Sequence, residues 1–387
     1  MKYIWFAFIT LFVPLALLNV GCQRGDSGVE TVPTNSPRRL AVDGLVMGTF
    51  WNVKAYVSDP KWNATELTTL VQKTLDDIDR SMSTYKDDSD LSRFNRLRTD
   101  EWFEISPDME TVIDLALEVS RQTNGAFDVT VGPLVNLWRF GPDKSPLTAL
   151  PTDARIAQVR KNTGFDKLEL RHKPTPAIRK KNPDLYVDLS AIAKGYAVDC
   201  VANKLVDAGI ESFMIDVGGE VRCRGYKPTL GTNRNQKPDS WTLGIESPRV
   251  SKDAPAQLHR TVCLDNQSLA TSGDYRNYLM VGKVRFSHLM DPRTGKPVEM
   301  IPKGVEQPKR RLGSVSVLLD SCARADAFAT AFFVLGAKDG VALADQLDIP
   351  VLFVSRLVNE QGELVLEEAA SQAFQKSVRS DIIKNNR

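Results

Sequence analysis

A carboxylate and a hydroxyl group, spaced by about one helical turn, lie near the end of the chain. Asp326 and Thr330 are four residues apart in SCARADAFATAFFVLG (321–336), so a helix would place both on one face together with Ala323. Mg²⁺ prefers oxygen ligands and usually keeps water and substrate phosphates in its shell. One interpretation is a magnesium site, with a backbone carbonyl as a further ligand. The alternative is a solvated first turn that carries Asp326, with Thr330 simply packed.

The segment DLSAIAKGYAVD (188–199) could bind phosphate at the start of a helix. The pattern predicts a strand that ends at Asp188 and a helix that begins near Ala191, with Ser190 as its cap. Free amide groups at a helix start favour phosphate, and Lys194 lies one turn in, where it would neutralise the charge. An ordinary strand-to-helix junction with a surface lysine is the alternative.

Gly195 lies inside this predicted helix, where a glycine costs about 1 kcal/mol relative to alanine. Such a cost is tolerated where a neighbouring element packs too closely for a side chain. We therefore expect another part of the chain to contact the helix at this position.

A third segment combines small hydrogen-bonding residues with a lone histidine. Thr271 and Ser272 belong to TSGDYRNY (271–278), which predicts a turn crowded with donors and acceptors. His288 is predicted at a strand end, just before a turn at 291–292. Imidazole titrates near neutral pH, so His288 is a candidate general base, and a purely structural histidine is the alternative.

Two further segments place aromatic residues beside flexible turns, namely MSTY (82–85) and NGAFDVT (124–130). A planar ligand would need such surfaces. Packing in the core explains either segment equally well.

Composition and missing motifs exclude several classes of protein. The 387 residues include 50 basic and 48 acidic ones, for a formal charge of +2, and this balance offers nucleic acid no basic surface. The sequence contains no G-x-G-x-x-G, Walker A, H-E-x-x-H or G-x-S-x-G motif. Three histidines and the absence of C-x-x-C spacing argue against His-rich or cysteine metal sites. Disulfides and buried free thiols both remain open for Cys200, Cys223, Cys263 and Cys322.

The N-terminus has the features of a targeting segment. Lys2 precedes an almost wholly apolar run, 3–18, which is short for a membrane span and typical of a signal peptide. The run leads to Leu18-Asn19-Val20-Gly21-Cys22, which resembles a bacterial lipobox with Cys22 as the lipidated residue. An uncleaved anchor and plain secretion are the alternatives. A stretch rich in Gly, Ser, Thr and Pro follows and predicts a flexible tether.

Strands alternate with helices along the remainder, and hairpin-like runs also occur, which indicates a mixed α and β sheet protein. Helices are predicted at 64–82, 108–123, 153–161, 191–209, 323–335 and 338–347. Strands are predicted at 46–57, 167–171, 185–189, 213–217, 241–246, 261–265, 278–287, 315–319 and 350–354.

The order of these segments closely resembles the ApbE family of FAD:protein FMN transferases, which are often lipoproteins of the bacterial envelope. The likeness runs from about residue 46 to residue 355. It is carried by MGT (47–49), MSTY (82–85), SDLSRFN (89–95), GAFDVTVGPLVNLW (125–138), DLSAIAKGYAVD (188–199), VGGEV (217–221), TSGDYRNY (271–278), SHLMDPRTGKP (287–297) and ADAFATAFFVLG (325–336).

The resemblance implies one α/β unit (mixed α+β), related to the T-fold, with two lobes around a cleft for FAD. The expected organisation is a lipoprotein signal peptide at 1–21, a flexible tether at 22–42, the flavin transferase domain at 43–370 and a polar C-terminal tail at 371–387.

The resemblance also assigns ligand contacts to named residues. The flavin and nucleotide pocket would be lined by Met47, Tyr85, Gly125, Ala126, Phe127, Asp188, Lys194, Thr271 and Ser272. Mg²⁺ would be held by the main-chain oxygen of Ala191 and by Asp326 and Thr330.

The implied reaction is magnesium-dependent transfer of FMN from FAD to a threonine or serine of another protein, with release of AMP. Lys194 would assist at the phosphates, and His288 would accept the proton of the attacking hydroxyl. The acceptor would be a respiratory or redox membrane subunit, and the enzyme would face the periplasm from a lipid anchor in the cell envelope. The alternatives are an FAD pyrophosphatase at the same site, a non-catalytic FAD-binding lipoprotein and an unrelated solute-binding lipoprotein.

Overall fold

The computed structural model describes residues 37–143, 145–228, 239–249, 257–282, 284–298 and 310–377. The helices in these residues are α1 (Ala64–Met82), α2 (Asp90–Arg96), α3 (Pro107–Gln122), α4 (Gly132–Leu137), α5 (Asp153–Arg160), α6 (Ala193–Asp207), α7 (Cys322–Gln346) and α8 (Gln372–Ser377). The strands are β1 (Arg38–Val46), β2 (Thr49–Val57), β3 (Phe103–Glu104), β4 (Leu168–Arg171), β5 (Ala177–Lys180), β6 (Ser212–Val217), β7 (Glu220–Arg224), β8 (Trp241–Glu246), β9 (Leu258–Leu264), β10 (Ser268–Gly273), β11 (Tyr278–Val281), β12 (Val284–Ser287), β13 (Met290–Asp291), β14 (Lys296–Pro297), β15 (Arg310–Leu319), β16 (Val351–Val358) and β17 (Leu364–Ala370).

Eight strands form one antiparallel sheet in the order β1-β2-β6-β7-β10-β15-β16-β17. Its inner strands are buried on both faces, because successive side chains of a strand point to opposite sides. In β16, Val351 and Phe353 pack in the main core with α1, α6 and α7, whereas Leu352 and Val354 pack in a second core with β8 and β9. The predicted mixed α and β fold is confirmed.

The first long helix has the bounds that the sequence predicts. The side chain of Asn63 accepts a hydrogen bond from the Glu66 N–H at 3.0 Å and caps α1. The helix buries one apolar stripe against the sheet, made of Leu67, Val71, Leu75, Ile78 and Met82. Helix α3 also begins at Pro107 as predicted, and Asn124 and Gly125 end it with φ angles of 49° and 73°.

Helix α7 consists of two helical pieces separated at Gly336, whose backbone has φ 78° and ψ 168°. The two helices predicted on either side of this glycine are therefore confirmed. Among the described residues, α7 is the one helix that is long and apolar enough to cross a membrane. Half of its apolar stretch is buried inside the protein, as expected for a core helix.

The predicted strand at 185–189 is wrong. Its apolar residues are buried and the segment is extended, but it joins no sheet. The backbone of Val187 exchanges two hydrogen bonds with the Asn95 side chain, each 2.8 Å long, and the Asp188 N–H donates to Val129 O at 2.7 Å. The Asn95 side chain thus takes the place of a neighbouring strand. The spacing of apolar residues in the sequence cannot reveal such a partner.

The predicted first strand, 46–57, is a hairpin instead. Met47 and Gly48, with φ angles of 50° and 70°, form a two-residue turn between β1 and β2. Because β1 begins at Arg38, the tether predicted over 22–42 extends too far into the fold.

Other differences have similar causes. The strand predicted at 278–287 is the hairpin β11–β12, and β5 and β17 lie where no strand was predicted. The tail predicted from residue 371 contains α8, because Ala373 and Phe374 are buried, the latter in the second core.

The predicted signal peptide and Cys22 lie outside the described residues. The four other cysteines are free thiols, which decides between the two possibilities left open by the sequence.

Candidate active site

A cleft of about 1180 Å³ is bordered by the large sheet, the starts of α6 and α7, and β8. It contains every predicted site residue except Gly125, namely Met47, Tyr85, Ala126, Phe127, Asp188, Ala191, Lys194, Thr271, Ser272, His288, Asp326 and Thr330. Segments far apart in the sequence therefore meet at one place.

Gly125 has a different role from the one that the resemblance assigned. It does not line the cleft, and its N–H donates to Ser120 O at 2.9 Å where α3 ends. Its positive φ angle favours glycine, and an added Cβ would lie 3.6 Å from the Phe165 ring. Gly125 ends the helix that precedes the pocket residues Ala126 and Phe127.

The predicted cation ligands lie on two facing helix starts. The buried Asp326 accepts a hydrogen bond at Oδ2 from the Gly195 N–H at 3.1 Å. Thr330 Oγ1 lies 3.2 Å from Ser272 Oγ. Ala191 is in the turn before α6, and no hydrogen bond to its carbonyl is found in the described part of the chain. These are the hard oxygen donors that Mg²⁺ prefers.

The cleft carries more negative than positive charge beside these donors. Lys194 Nζ lies 2.6 Å from Glu220 Oε1 and 4.0 Å from Asp326 Oδ2. Glu220 Oε2 is buried and has no hydrogen-bond partner within the described segments. Two buried carboxylates thus share one ammonium group, and a bound cation would relieve their repulsion. The residues fit a divalent cation.

The pKa shifts reflect the same arrangement. Burial disfavours the charged form of Lys194, but Asp326 and Glu220 outweigh this effect and raise the pKa of Lys194. Burial raises the pKa of Glu220, opposed by Lys194 and reinforced by Asp326. Burial also raises the pKa of Asp326, opposed by Lys194 and by the Gly195 N–H.

The predicted phosphate-binding helix start needs correction. Ser190 does not cap α6, because its N–H and hydroxyl both bond to Asp188 Oδ1. The N–H groups of Ile192 and Ala193 donate to Leu189 O. The amides at this helix start are thus largely used within the protein, and Lys194 carries the positive charge that remains for an anion.

Asp199 fixes α7 against α6, a role that the sequence did not predict. From its place on α6, its carboxylate accepts from the Cys322 and Ala323 N–H groups at 3.0 Å each and from Ser321 Oγ at 2.8 Å. It thereby caps α7 from another helix. Its partners on α7 lie more than one hundred residues away in sequence, so no local pattern signals the contact. The carboxylate also accepts from the Arg222 guanidinium of β7.

Gly195 makes the same contact possible. A Cβ at this position would clash with the backbone of Cys322 and Ala323. The close approach predicted from this glycine is confirmed, and its partner is the start of α7. Together, Asp199 and Gly195 set the separation between Lys194 and Asp326.

His288 follows β12 and is half-buried in the cleft. Its backbone N–H and its Nδ1 lie 3.2 and 3.1 Å from Asn277 O. Because a carbonyl only accepts hydrogen bonds, Nδ1 carries the proton and Nε2 is left as the basic nitrogen. Burial lowers the pKa of His288, which favours the neutral ring.

The loop after β10 carries Asn277, whose carbonyl oxygen accepts from His288. A buried ion pair ties this loop to the sheet. Arg356 Nη2 donates to Asp274 Oδ2 at 2.5 Å, and Arg285 Nη2 donates to Asp274 O at 2.7 Å. Thr271 and Ser272 lie in β10 rather than in the predicted turn. Their side chains reach the cleft because β10 ends there.

Comparisons with known proteins identify the family of this chain. The family model described as "ApbE family" matches residues 47–353. The "FAD:protein FMN transferase" of Vibrio cholerae is 39% identical over 359 residues, covering 92% of this chain and 95% of the relative. The "FAD:protein FMN transferase" of Haemophilus influenzae is 36% identical over 351 residues, covering 90% of this chain and 92% of the relative.

Solved structures give the same result. The "Flavin Transferase ApbE from Vibrio cholerae" superposes with a TM-score of 0.73 at 37% identity, covering 88% of this chain and 99% of that one. The apo form of the Pseudomonas stutzeri flavinyl transferase ApbE superposes with a TM-score of 0.73 at 32% identity, covering 88% of this chain and 97% of that one. The chain belongs to the ApbE family, as the sequence predicted.

Proposed function

We propose that this protein transfers FMN from FAD to a threonine or serine hydroxyl of an acceptor protein, with release of AMP and with Mg²⁺ as cofactor. The observation that carries the proposal is the meeting of Lys194, Asp326, Thr330 and His288 in one cleft of an ApbE-family chain. The relatives described above are named FAD:protein FMN transferase.

Asp326, Thr330 and the Ala191 carbonyl would hold the magnesium ion. When bound, Mg²⁺ would neutralise negative charge that develops on the diphosphate. Lys194 contributes a fixed positive charge, because its neighbours Glu220 and Asp326 keep the ammonium group protonated.

His288 would move the proton. The Nε2 atom accepts the proton of the acceptor hydroxyl as the hydroxyl oxygen attacks the FMN phosphorus. The bond from that phosphorus to the bridging oxygen breaks, and AMP leaves with the bonding electrons. The hydrogen bond from Nδ1 to Asn277 O supports the ring while it is positively charged.

The test is incubation of the purified protein with FAD, Mg²⁺ and a candidate acceptor, a redox membrane subunit with an exposed threonine or serine. Mass spectrometry of the acceptor should show one covalent FMN group on that hydroxyl residue, with AMP released in equal amount. An acceptor that keeps its original mass while AMP accumulates would contradict the proposal.

A second incubation without acceptor separates the rival activities at the same site. Rapid release of AMP and free FMN would indicate an FAD pyrophosphatase, in which water replaces the hydroxyl. Tight FAD binding without product in either incubation would indicate a binding protein. We expect slow release without acceptor, because the cleft must also admit a protein hydroxyl.

We further propose that the protein is anchored by lipid on Cys22 and works in the bacterial envelope, facing the periplasm. The support is the apolar run at 3–18 followed by the lipobox-like residues. Cys22→Ser should move the protein from the membrane fraction to the soluble fraction and abolish fatty-acid labelling. Unchanged labelling in that variant would rule out this anchor.

A further inference from the structure

Strand β8 borders the cleft with an edge that no other described strand pairs with. It forms a two-stranded antiparallel sheet with β9, in which Trp241 lies opposite Leu264. The side of β8 away from β9 is called the β8 edge below. An unpaired edge presents a row of backbone N–H and C=O groups that can pair with another chain.

The residues that line the cleft show that it runs along this edge. Thr242, Leu243, Gly244, Ile245 and Glu246 all border it, one after another. Successive side chains point to opposite faces of a strand, so a cleft over one face would contact every second residue. Contact with five consecutive residues indicates that the cleft lies beside the strand.

One face of β8 is held in place by the second core, in which Trp241 and Ile245 are buried. Thr242 and Gly244 are exposed on the other face, where the Leu258 side chain of β9 lies over Gly244. The core thus supports the strand from one side and leaves the backbone of the β8 edge for pairing.

The C-terminal end of β8 leads to His288. Glu246 Oε2 accepts from Arg276 Nε at 3.1 Å, and the next residue, Asn277, accepts from His288 through its carbonyl. A chain lying on the β8 edge would therefore reach the histidine that accepts the hydroxyl proton. The cleft, at about 1180 Å³, also exceeds the range of roughly 300–1,000 Å³ typical of small-molecule sites.

We propose that the acceptor protein binds as an extended segment that adds a third strand to the β8–β9 pair and brings its threonine or serine to His288. This inference rests on the proposed function and identifies how its second substrate is held. Main-chain hydrogen bonds would supply most of the binding, and side chains of the segment would be read only at alternate positions.

Backbone methylation of the acceptor tests the pairing directly. The probe is a synthetic nine-residue peptide centred on the flavinylated residue found by mass spectrometry, made with single N-methyl groups at successive positions. A paired strand donates N–H bonds to its neighbour only from every second residue. Methylation at one set of alternate positions should raise the acceptor KM at least about tenfold, and at the other set less than about twofold. Equal effects at both sets would overturn the inference.

The intact acceptor provides an independent test. Hydrogen exchange of the wild-type enzyme should show slower exchange of β8 amides when the acceptor is added with FAD and Mg²⁺. Thr242→Pro and Leu243→Pro each remove one backbone N–H group of β8. Successive N–H groups of a strand point to opposite sides, so one of these two points to β9 and the other to the β8 edge. The variant that loses the edge-facing N–H group keeps the β8–β9 hydrogen bonds and should remain folded. It should keep its FAD affinity and lose its affinity for the acceptor.

The matched control is Leu364→Pro, at the first residue of the edge strand β17, where a proline is tolerated. It should leave both affinities unchanged. Unchanged β8 exchange with the intact acceptor would overturn strand addition, even if both proline variants unfold. Failure of the wild type to modify any protein would instead overturn the proposed function.

Discussion

The two walls of the cleft are built in opposite ways. The wall formed by α6 and α7 is buried and charged, and its geometry is fixed by Asp199, Gly195 and the Lys194–Glu220 pair. The wall formed by β8 presents an exposed strand edge to the cleft. This contrast accords with the proposed roles, in which the buried wall holds the groups that act on FAD and the β8 wall holds the acceptor through its backbone. Substitutions should therefore have very different effects on the two walls.

The largest effect is expected at Asp326. Asp326→Ala removes the carboxylate of the proposed cation site, so magnesium-dependent transfer should fall at least about a hundredfold. Steady-state rates measured over a range of magnesium concentrations test this. The control is Asp320→Ala, at the exposed residue that follows β15. Wild-type turnover in the Asp326 variant would remove the cation from this wall.

His288→Ala should lower transfer by about 10²–10⁴-fold while FAD binding is retained, because only the proton acceptor is lost. Burial lowers the pKa of His288 below its ordinary value of 6.5, so the wild-type ring stays neutral down to that pH. The transfer rate should be level above pH 6.5 and fall only in more acid solution, as the ring gains a proton. A rate that declines already between pH 8 and 7 would assign the base to another group. The control is His172→Ala, whose exposed ring contacts the Glu110 carboxylate outside the cleft.

Asp199→Ala should have an intermediate effect that acts through position. Three donors at the start of α7 and the Arg222 guanidinium lose their acceptor, which should lower the free energy of unfolding by about 3 kcal/mol. The magnesium concentration needed for half-maximal transfer should rise about tenfold, because Asp326 is no longer held against Lys194. Asp199→Asn should recover part of both effects, whereas the exposed Asp207→Ala on the same helix should change neither. Loss of stability without a change in magnesium dependence would reduce Asp199 to a purely structural role.

The smallest effect is expected on the other wall. Thr242→Ala removes an exposed side chain from the β8 edge but keeps its backbone, so the acceptor KM should change less than about twofold. A large rise in KM would show that side chains, rather than backbone, recognise the acceptor. That result would weaken the contrast between the two walls.

The sequence predicted those features that depend on neighbouring residues. The shared face of Asp326 and Thr330, the cap at Asn63 and the close packing at Gly195 all follow from local spacing or local cost. The cap that Asp199 provides and the pairing of Val187 with Asn95 depend on residues distant in the chain. Neither the spacing of apolar residues nor a short sequence motif can predict such long-range contacts.

The resemblance placed Gly125 in the pocket and the local pattern made Ser190 a helix cap, but each of these residue types has two uses. Gly125 ends a helix rather than contacting the cleft, since a positive φ angle and an open pocket both favour glycine. Likewise, Ser190 is bound by Asp188 instead of capping α6. Only the three-dimensional arrangement distinguishes these uses.

Under the proposed export to the bacterial envelope, the break at Gly336 has a consequence for how this chain would cross a bilayer. Its apolar helix meets the length and hydropathy of a membrane span, but the glycine divides it so that neither piece reaches the roughly 20 residues that a bilayer core requires. Arg324 and Asp326 near its start add charges that are costly in hydrocarbon. Asp326, a proposed cation ligand, would therefore also discourage the translocation machinery from retaining this segment in the lipid.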